Sequence, residues 1–560
     1  MDRLPSELIS RIVLHLLGDD EENFEGRRPN PWSKPPSIAR YASISRSWQD
    51  AVEMHTFSVV KVRSNDLSRF DRVFQRAHRR QAVSFIEYDI VLPPYSKARS
   101  WKLERPREHA ENMAIFSQAV HAIFSSLHAW QVDQEAIHGA RGSVGRPIRL
   151  TITVDVRLEV SGLASNGLGL YRMDGHFIDF TEPCSALPEV RRVSELVTGG
   201  IVRPLHPNAA FRMVAALSNV KNIFVHMLEP QLRREEMRRE HRYALAQNIS
   251  LMNSTKFSSL RTIYLTLDSA EPWNHSFTPS DCRDPTQPSK DTLSAALRLI
   301  SQSLPITELT LYGPFIISSE LFWPSDSLAP DAAPHWPTLQ YLTVNANIVA
   351  PDGTYYYTGT EESISESEDD DPWASSPHSG NSPRTRTNPS TDVDAAGYNS
   401  DDSQVRDPIN RDDITRSNGG LPFNNWRREL DPERFDPLVL AMSRASCCMP
   451  ALLELEFYMG MSDAQGPSGI MFYGAAEQEV PEVPGGLRKL EHIQRRRWRA
   501  YIGPKAKWEP PEEVLDLWRR FVGPGGVITM DKLLDSWEPK DESGGFEEIV
   551  DGPEPSDSPC

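Results

Sequence analysis

Five short runs of one spacing constrain this chain more than any other feature: an aliphatic residue followed three and five positions later by two further apolar ones. They are Val220/Ile223/Val225, Leu260/Ile263/Leu265, Ile306/Leu309/Leu311, Leu339/Leu342/Val344 and Leu452/Leu455/Phe457. Alternate residues of such a run point to one face of a short strand. Apolar helical stretches precede three of them, Ala209 to Leu217, Thr292 to Leu304 and Pro437 to Cys448, so the unit reads as helix then strand. One unit cannot bury its apolar face alone, whereas units stacked side by side share a continuous core. The starts at 220, 260, 306, 339 and 452 are unevenly spaced, so any repeat is degenerate.

Two longer alternating runs, Ile148 to Leu158 and Val83 to Leu92, predict further strands with one buried face. The expected class is α/β. A generic α/β domain without solenoid curvature fits the same pattern.

Composition matters here chiefly through where the charge lies. Residues 351–420 hold 15 Asp/Glu against 5 Lys/Arg, and residues 531–560 hold 10 against 2, which together account for the formal net charge of −18. The acidity therefore belongs to solvated segments and not to a cleft, and the near-neutral remainder is not that of a generic nucleic-acid binder. Segment 351–420, rich in Ser, Pro, Asn and Gly with few aliphatics, is expected to be a disordered acidic linker, and 531–560 a disordered acidic tail.

Cys184, Cys282, Cys447, Cys448 and Cys560 make neither a disulfide framework nor a zinc-ligand spacing, which fits a reducing compartment. Cys447 and Cys448 lie on an apolar helix with no nearby His and are expected to be buried structural thiols. No P-loop, GxSxG or HExxH motif is present, and Gly523 to Gly526 reads as a helix terminator. The expectation is no catalysis, no metal and no cofactor. Neither a signal peptide nor a membrane span is expected, which places the chain in cytoplasm or nucleus.

At the amino terminus, Leu8, Ile9, Ile12, Val13, Leu16 and Leu17 recur at helical spacing after Leu4-Pro5, and Gly18 is the expected stop. A second amphipathic helix is predicted with Ile38, Tyr41, Ala42, Ile44, Trp48 and Val52 on its apolar side. Two short helices cannot cover both stripes and Leu4-Pro5 as well, so apolar surface is left to face a partner. An ordinary helical hairpin packed on the downstream body is the bland alternative.

The pattern Leu-Pro-x-Glu-Leu-Ile-x-x-Ile-Val-x-x-Leu-Leu, followed by Ser-Ile-Ser-Arg-Ser-Trp-Gln-Asp-Ala-Val and Phe57, resembles the F-box. That resemblance implies docking onto the small adaptor subunit of SCF-type ubiquitin ligases and through it onto the cullin. Leu4, Pro5, Leu8, Ile9, Ile12, Leu16, Ile44 and Trp48 become the adaptor-contact or supporting residues. The 19-residue insert from Gly18 to Pro36 stands where most F-boxes have a few residues, and is expected to be a harmless surface loop.

As a whole the chain resembles F-box proteins of a type abundant in filamentous fungi. The units downstream resemble irregular leucine-rich repeats, although their intervals exceed the ~20–29 residues usual for that class. The expected layout is an F-box at 1–62, a repeat-like body at 63–350, the linker at 351–420, the last part of the body at 421–530, and the tail at 531–560. The implied role is that of a non-catalytic substrate-recognition subunit holding a protein substrate of unknown identity in ubiquitin-dependent degradation. A scaffold outside any cullin ligase, and an enzyme with an unrecognised site, remain alternatives.

Three further segments invite a sharper reading. Ser363, Ser365 and Ser367 each have an acid three residues on, as acidophilic kinases favour, against the alternative of an unmodified solvated loop. Arg233, Arg234, Arg238, Arg239 and Arg242, interleaved with Glu235, Glu236 and Glu240, predict a self-paired solvated helix. Arg495 to Arg499, with Lys505 and Lys507 among Trp498, Tyr501 and Trp508, predict a body strand with apolar and basic sides; a nuclear-import or nucleic-acid patch is the alternative.

Overall fold

The computed structural model describes residues 4–16, 38–95, 103–138, 145–155, 175–181, 186–199, 203–324, 333–360, 415–460, 468–475, 494–503, 508–532 and 546–550. Helix α1 (Ser6–Leu16) and helix α2 (Arg46–Thr56) precede everything else. Each of the next strands then lies beside the one before it: β1 (Val59–Arg63), β2 (Phe85–Val91), β3 (Ile148–Asp155), β4 (Val193–Thr198), β5 (Asn222–Leu228), β6 (Thr262–Asp268), β7 (Glu308–Phe315) and β8 (Tyr341–Ala346). All eight are parallel. Parallel neighbours need long crossovers, and helices supply several of them here.

Between β1 and β2 stand α3 (Leu67–Val73) and α4 (Ala77–Ala82); between β2 and β3 stands α5 (Pro106–His138). Next come α6 (Pro207–Ala215), α7 (Glu235–Ser250) and α8 (Thr292–Ser303), with α7 packed on α6 and α8 on α7. A short antiparallel pair, β9 (Tyr357–Thr358) with β10 (Glu429–Leu430), sits outside the main sheet. Then α9 (Pro432–Cys447) leads to β11 (Glu454–Met459), parallel to β8. The sheet closes with β12 (Ser468–Tyr473), β13 (Arg497–Ile502), α10 (Glu512–Val522), β14 (Val527–Lys532) and β15 (Phe546–Ile549). Here β11/β12, β12/β13 and β14/β15 are antiparallel and β13/β14 parallel. The chain is thus a mixed α/β structure built on a 13-stranded, mostly parallel sheet.

All five aliphatic runs fall on strands of this sheet, and their spacing explains its core. In β6, Ile263, Leu265 and Leu267 are buried while Thr262, Tyr264, Thr266 and Asp268 alternate on the other face. β5 and β11 alternate in the same way. One continuous apolar cluster joins the buried sides of the strands to α3 and α5–α10. The register of β7 with β8 shifts between Leu311 and Phe315, around Gly313, whose φ of +83° and close approach to the Leu267 carbonyl leave no space for a Cβ. Asn347, which closes the fourth run, is fully buried: its Nδ2 donates to the Pro314 carbonyl at 3.3 Å, and its Oδ1 accepts from the Val349 amide at 2.9 Å.

Four expectations change. The second amino-terminal helix begins only at Arg46, because Ser45 takes an extended conformation and caps it, accepting from the Trp48 amide; residues Ile38–Ser43 form a separate 3₁₀ turn. The helix expected to be self-paired and solvated is α7, and it buries Arg238 and Arg242, which find Glu229 and Asp291 on other elements. Residues 351–360, expected within the linker, fold into the body, where Tyr355, Tyr356 and Tyr357 are buried and donate to the Phe277, Ile317 and Met459 carbonyls. Within the expected tail, β15 pairs with β14. Residues 415–420, also expected within the linker, join the body too, the Asn274 amide donating to the Gly419 carbonyl at 2.7 Å; linker residues 361–414, with Ser363, Ser365 and Ser367, and the insert at 18–36 lie outside the described residues.

Candidate functional site

Helix α1 packs on α2 through a small core of its own: Ile9, Val13, Ile38, Trp48, Ala51 and Val52, with Leu16 half-buried against it. This core is separate from that of the sheet. The helix cannot turn its whole apolar arc inward, so Leu4, Leu8 and Ile12 are left on its outer side at 40%, 45% and 38% exposure, joined by Ile44 at 41%. Of the eight residues singled out from sequence, Leu4, Pro5, Leu8, Ile12 and Ile44 therefore lie at the surface, and Ile9 and Trp48 support them from within. Together these aliphatic side chains leave apolar surface on one side of α1 that the described chain does not cover.

A half-buried ion pair ties this unit to the body. Glu53 of α2 accepts from Arg79 Nε and Nη2 at 2.8 and 2.7 Å, lies 2.7 Å from His78 Nε2, and accepts from Gln49 at 2.9 Å. The Arg79 guanidinium is the main reason that its carboxyl is held down at about 2. Phe57 stacks edge-on against Phe74 beside it, with ring centroids 5.4 Å apart. The orientation of the outer face of α1 is thus fixed relative to the sheet.

A second cluster was not visible in the sequence because its members come from positions 95, 104, 109, 112, 176 and 203. Glu104, fully buried, accepts from the Tyr95 hydroxyl at 2.8 Å, Asn112 Nδ2 at 2.7 Å and Arg203 Nη2 at 2.8 Å, and it lies 3.0 Å from His176 Nδ1. His109 Nδ1 is 3.4 Å from the same carboxylate, and the two imidazoles stack with centroids 4.7 Å apart. Glu104, His109 and His176 bring three ligand atoms close together, as a metal would need. Yet Arg203 Nη2 sits 2.8 Å from Glu104 Oε2 and 3.2 Å from His109 Nδ1, a cation already in the place an ion would take. The residues fit a buried Arg–Glu anchor and not a metal centre.

The sheet face opposite the helices carries the third feature. On β5, β6 and β7 the outward Phe224, Tyr264 and Tyr312 form a row of rings, with centroids 5.7 and 6.2 Å apart, and Tyr312 is 50% exposed. Tyr341 of β8 continues it at 41% exposure. Strands β5–β8 and β11 contain Asp268, Glu308, Glu454 and Glu456 and no Lys or Arg. The expected basic strand is β13: Trp498 and Ala500 point inward while Arg497 and Arg499 lie on the other side. Cys447 and Cys448, expected buried, are half-buried at the end of α9.

No family model matches the chain, and no curated protein matches it. Among the described residues, no helix is long and apolar enough to cross a membrane.

Proposed function

We propose that the chain is the substrate-recognition subunit of an SCF-type ubiquitin ligase, in which α1, the 3₁₀ turn and α2 are the F-box and the sheet body is an irregular leucine-rich-repeat-like receptor. One observation carries this reading: a two-helix unit with its own core keeps Leu4, Leu8, Ile12 and Ile44 outside on a face that nothing in the described chain covers. Complete burial of such a side chain is worth ~1.5–3 kcal/mol, and the part of each that is still exposed, near 40%, adds about 0.6–1.2 kcal/mol to an adaptor contact. The resemblance of the sequence to the F-box pattern falls on the same residues. For the body, the support is a sheet whose parallel strands follow chain order and a buried Asn347 closing a strand, both habits of leucine-rich repeats. The chain performs no chemistry in this role; it raises the effective concentration of a substrate near a ubiquitin-charged enzyme.

Co-expression with an SCF adaptor and cullin tests the proposal. The Leu8→Ala/Ile12→Ala variant is expected to lose adaptor at least about tenfold, with a thermal midpoint unchanged because both side chains are already exposed. Equal recovery of adaptor with wild type and variant removes the F-box reading. Adaptor retained without cullin places the protein in a scaffold outside the ligase.

A further inference from the structure

The open face of β5–β8 and β11 points to a specific occupant: we infer that it binds an extended, arginine- or lysine-bearing segment of a partner protein. The aromatic row Phe224, Tyr264 and Tyr312 offers ring surface to cations, and Glu308 lies on the strand of Tyr312 while Glu456 lies on β11, across β8, on the same surface. Thr262 Oγ1 donates to Glu308 at 3.3 Å and the Tyr473 hydroxyl to Glu456 at 3.5 Å, hydroxyl contacts that carry no positive charge; the basic residues of this face, Arg497 and Arg499, lie on β13, beyond β12. Elsewhere on the sheet the chain neutralises its own face: Lys61 bridges Glu87 and Asp89, and Arg149 bridges Glu195. The five central strands lack a Lys or Arg to do the same. Arg261, at the rim, donates from Nη1 to the Ser258 and Leu260 carbonyls at 3.0 and 2.8 Å.

Charge also weighs against two other occupants, the longest segment outside the described residues and a second copy of the chain. Segment 361–414, the longest stretch outside the described residues, has 14 Asp/Glu against 4 Lys/Arg, and a second copy of the chain carries a net charge of −18. Both are repelled, whereas a basic segment is attracted and its cations gain ring faces. Five strands at ~4.8 Å spacing span about 19 Å, which an extended peptide crosses in about six residues. The receptor role proposed above would make that segment the substrate's degradation signal, and to that extent the assignment rests on it; the binding itself needs no adaptor.

The test is fluorescence anisotropy on the full chain with a labelled peptide in which arginines alternate with glycine-serine pairs, beside a matched peptide with glutamate in place of arginine. The arginine peptide is expected to bind, to weaken as salt rises, and to lose at least about tenfold in affinity for Tyr264→Ala/Tyr312→Ala and for Glu308→Gln/Glu456→Gln. Both variants change surface side chains, and both are expected to recover the adaptor as wild type does. Conversely, Leu8→Ala/Ile12→Ala is expected to keep peptide binding, so failure of the ligase reading and failure of this one are told apart. No binding of the arginine peptide, equal binding of the glutamate peptide, or undiminished binding by both surface variants overturns the inference.

Discussion

In α1, Leu8 and Ile12 are 45% and 38% exposed while Ile9 and Val13 beside them are fully buried; in β6, Ile263, Leu265 and Leu267 are at most 3% exposed and the residues between them are Thr262, Tyr264 and Thr266. The two regions use aliphatic residues in opposite ways. A strand's two-residue period separates its faces cleanly, and a helix layer covers the whole of the apolar one. A pair of eleven-residue helices has no such cover, and an apolar arc wider than the contact between them must leave part of itself in water. The proposed adaptor contact draws on the apolar surplus of the first region, whereas the proposed peptide site draws on the polar and aromatic residues of the open sheet.

The largest expected effect breaks the body and should leave this contrast intact. Asp291, 3% exposed, accepts from Arg242 Nη2 on both oxygens at 2.9 and 3.0 Å and from the Ser294 and Ser318 hydroxyls. Asp291→Ala strands a buried guanidinium, which costs about 3–5 kcal/mol, read as a fall in the denaturation midpoint; an unchanged midpoint would show that water reaches Arg242. Next in size, Ile9→Ala opens a cavity in the small helical core and is expected to cost that unit about 3 kcal/mol. Hydrogen exchange should then speed up in α1 and α2 while β5–β8 keep their protection. Simultaneous loss in both regions would mean that the two cores, separate in the structure, unfold as one.

What the sequence made legible follows from the range over which its signals act. The period-two runs placed β5, β6, β7, β8 and β11, and the helical spacing of Leu8, Ile9, Ile12 and Val13 placed α1, because both patterns close within a few residues. Which half of the α1 stripe faces inward depends on Trp48 and Val52, more than thirty residues away. Arg238 and Arg242 looked solvated because their nearest acids in sequence are Glu235, Glu236 and Glu240, whereas their true partners are Glu229 and Asp291. The same holds for the Glu104 anchor, whose partners at 176 and 203 carry no motif. Composition averaged over a long window hid Tyr355, Tyr356 and Tyr357, three buried rings at the edge of an acidic segment.

Acid gives the smallest effect and the finest division between the two regions. His241, buried in α7, has its pKa pushed down to about 3 by burial, helped by His206 nearby. A group whose folded pKa lies below its unfolded value of ~6.5 takes up its proton first in the unfolded chain. Stability therefore falls as pH drops below about 6.5, by up to ~1.4 kcal/mol per pH unit, or about 2 kcal/mol between pH 7 and pH 5. Glu53, the link from α2 to the body, behaves differently: held down at about 2 by Arg79, it stays ionised over that interval and begins to lose its contribution only below about 4.5. Denaturation midpoints at pH 7 and pH 5 are expected to differ less for His241→Gln than for wild type. Glu53→Gln, by contrast, should lower both midpoints by the same amount. A His241→Gln variant that loses as much stability as wild type would place the acid sensitivity elsewhere, His275 being the first candidate because burial and the adjacent Arg427 and Arg428 push its pKa down to about 4.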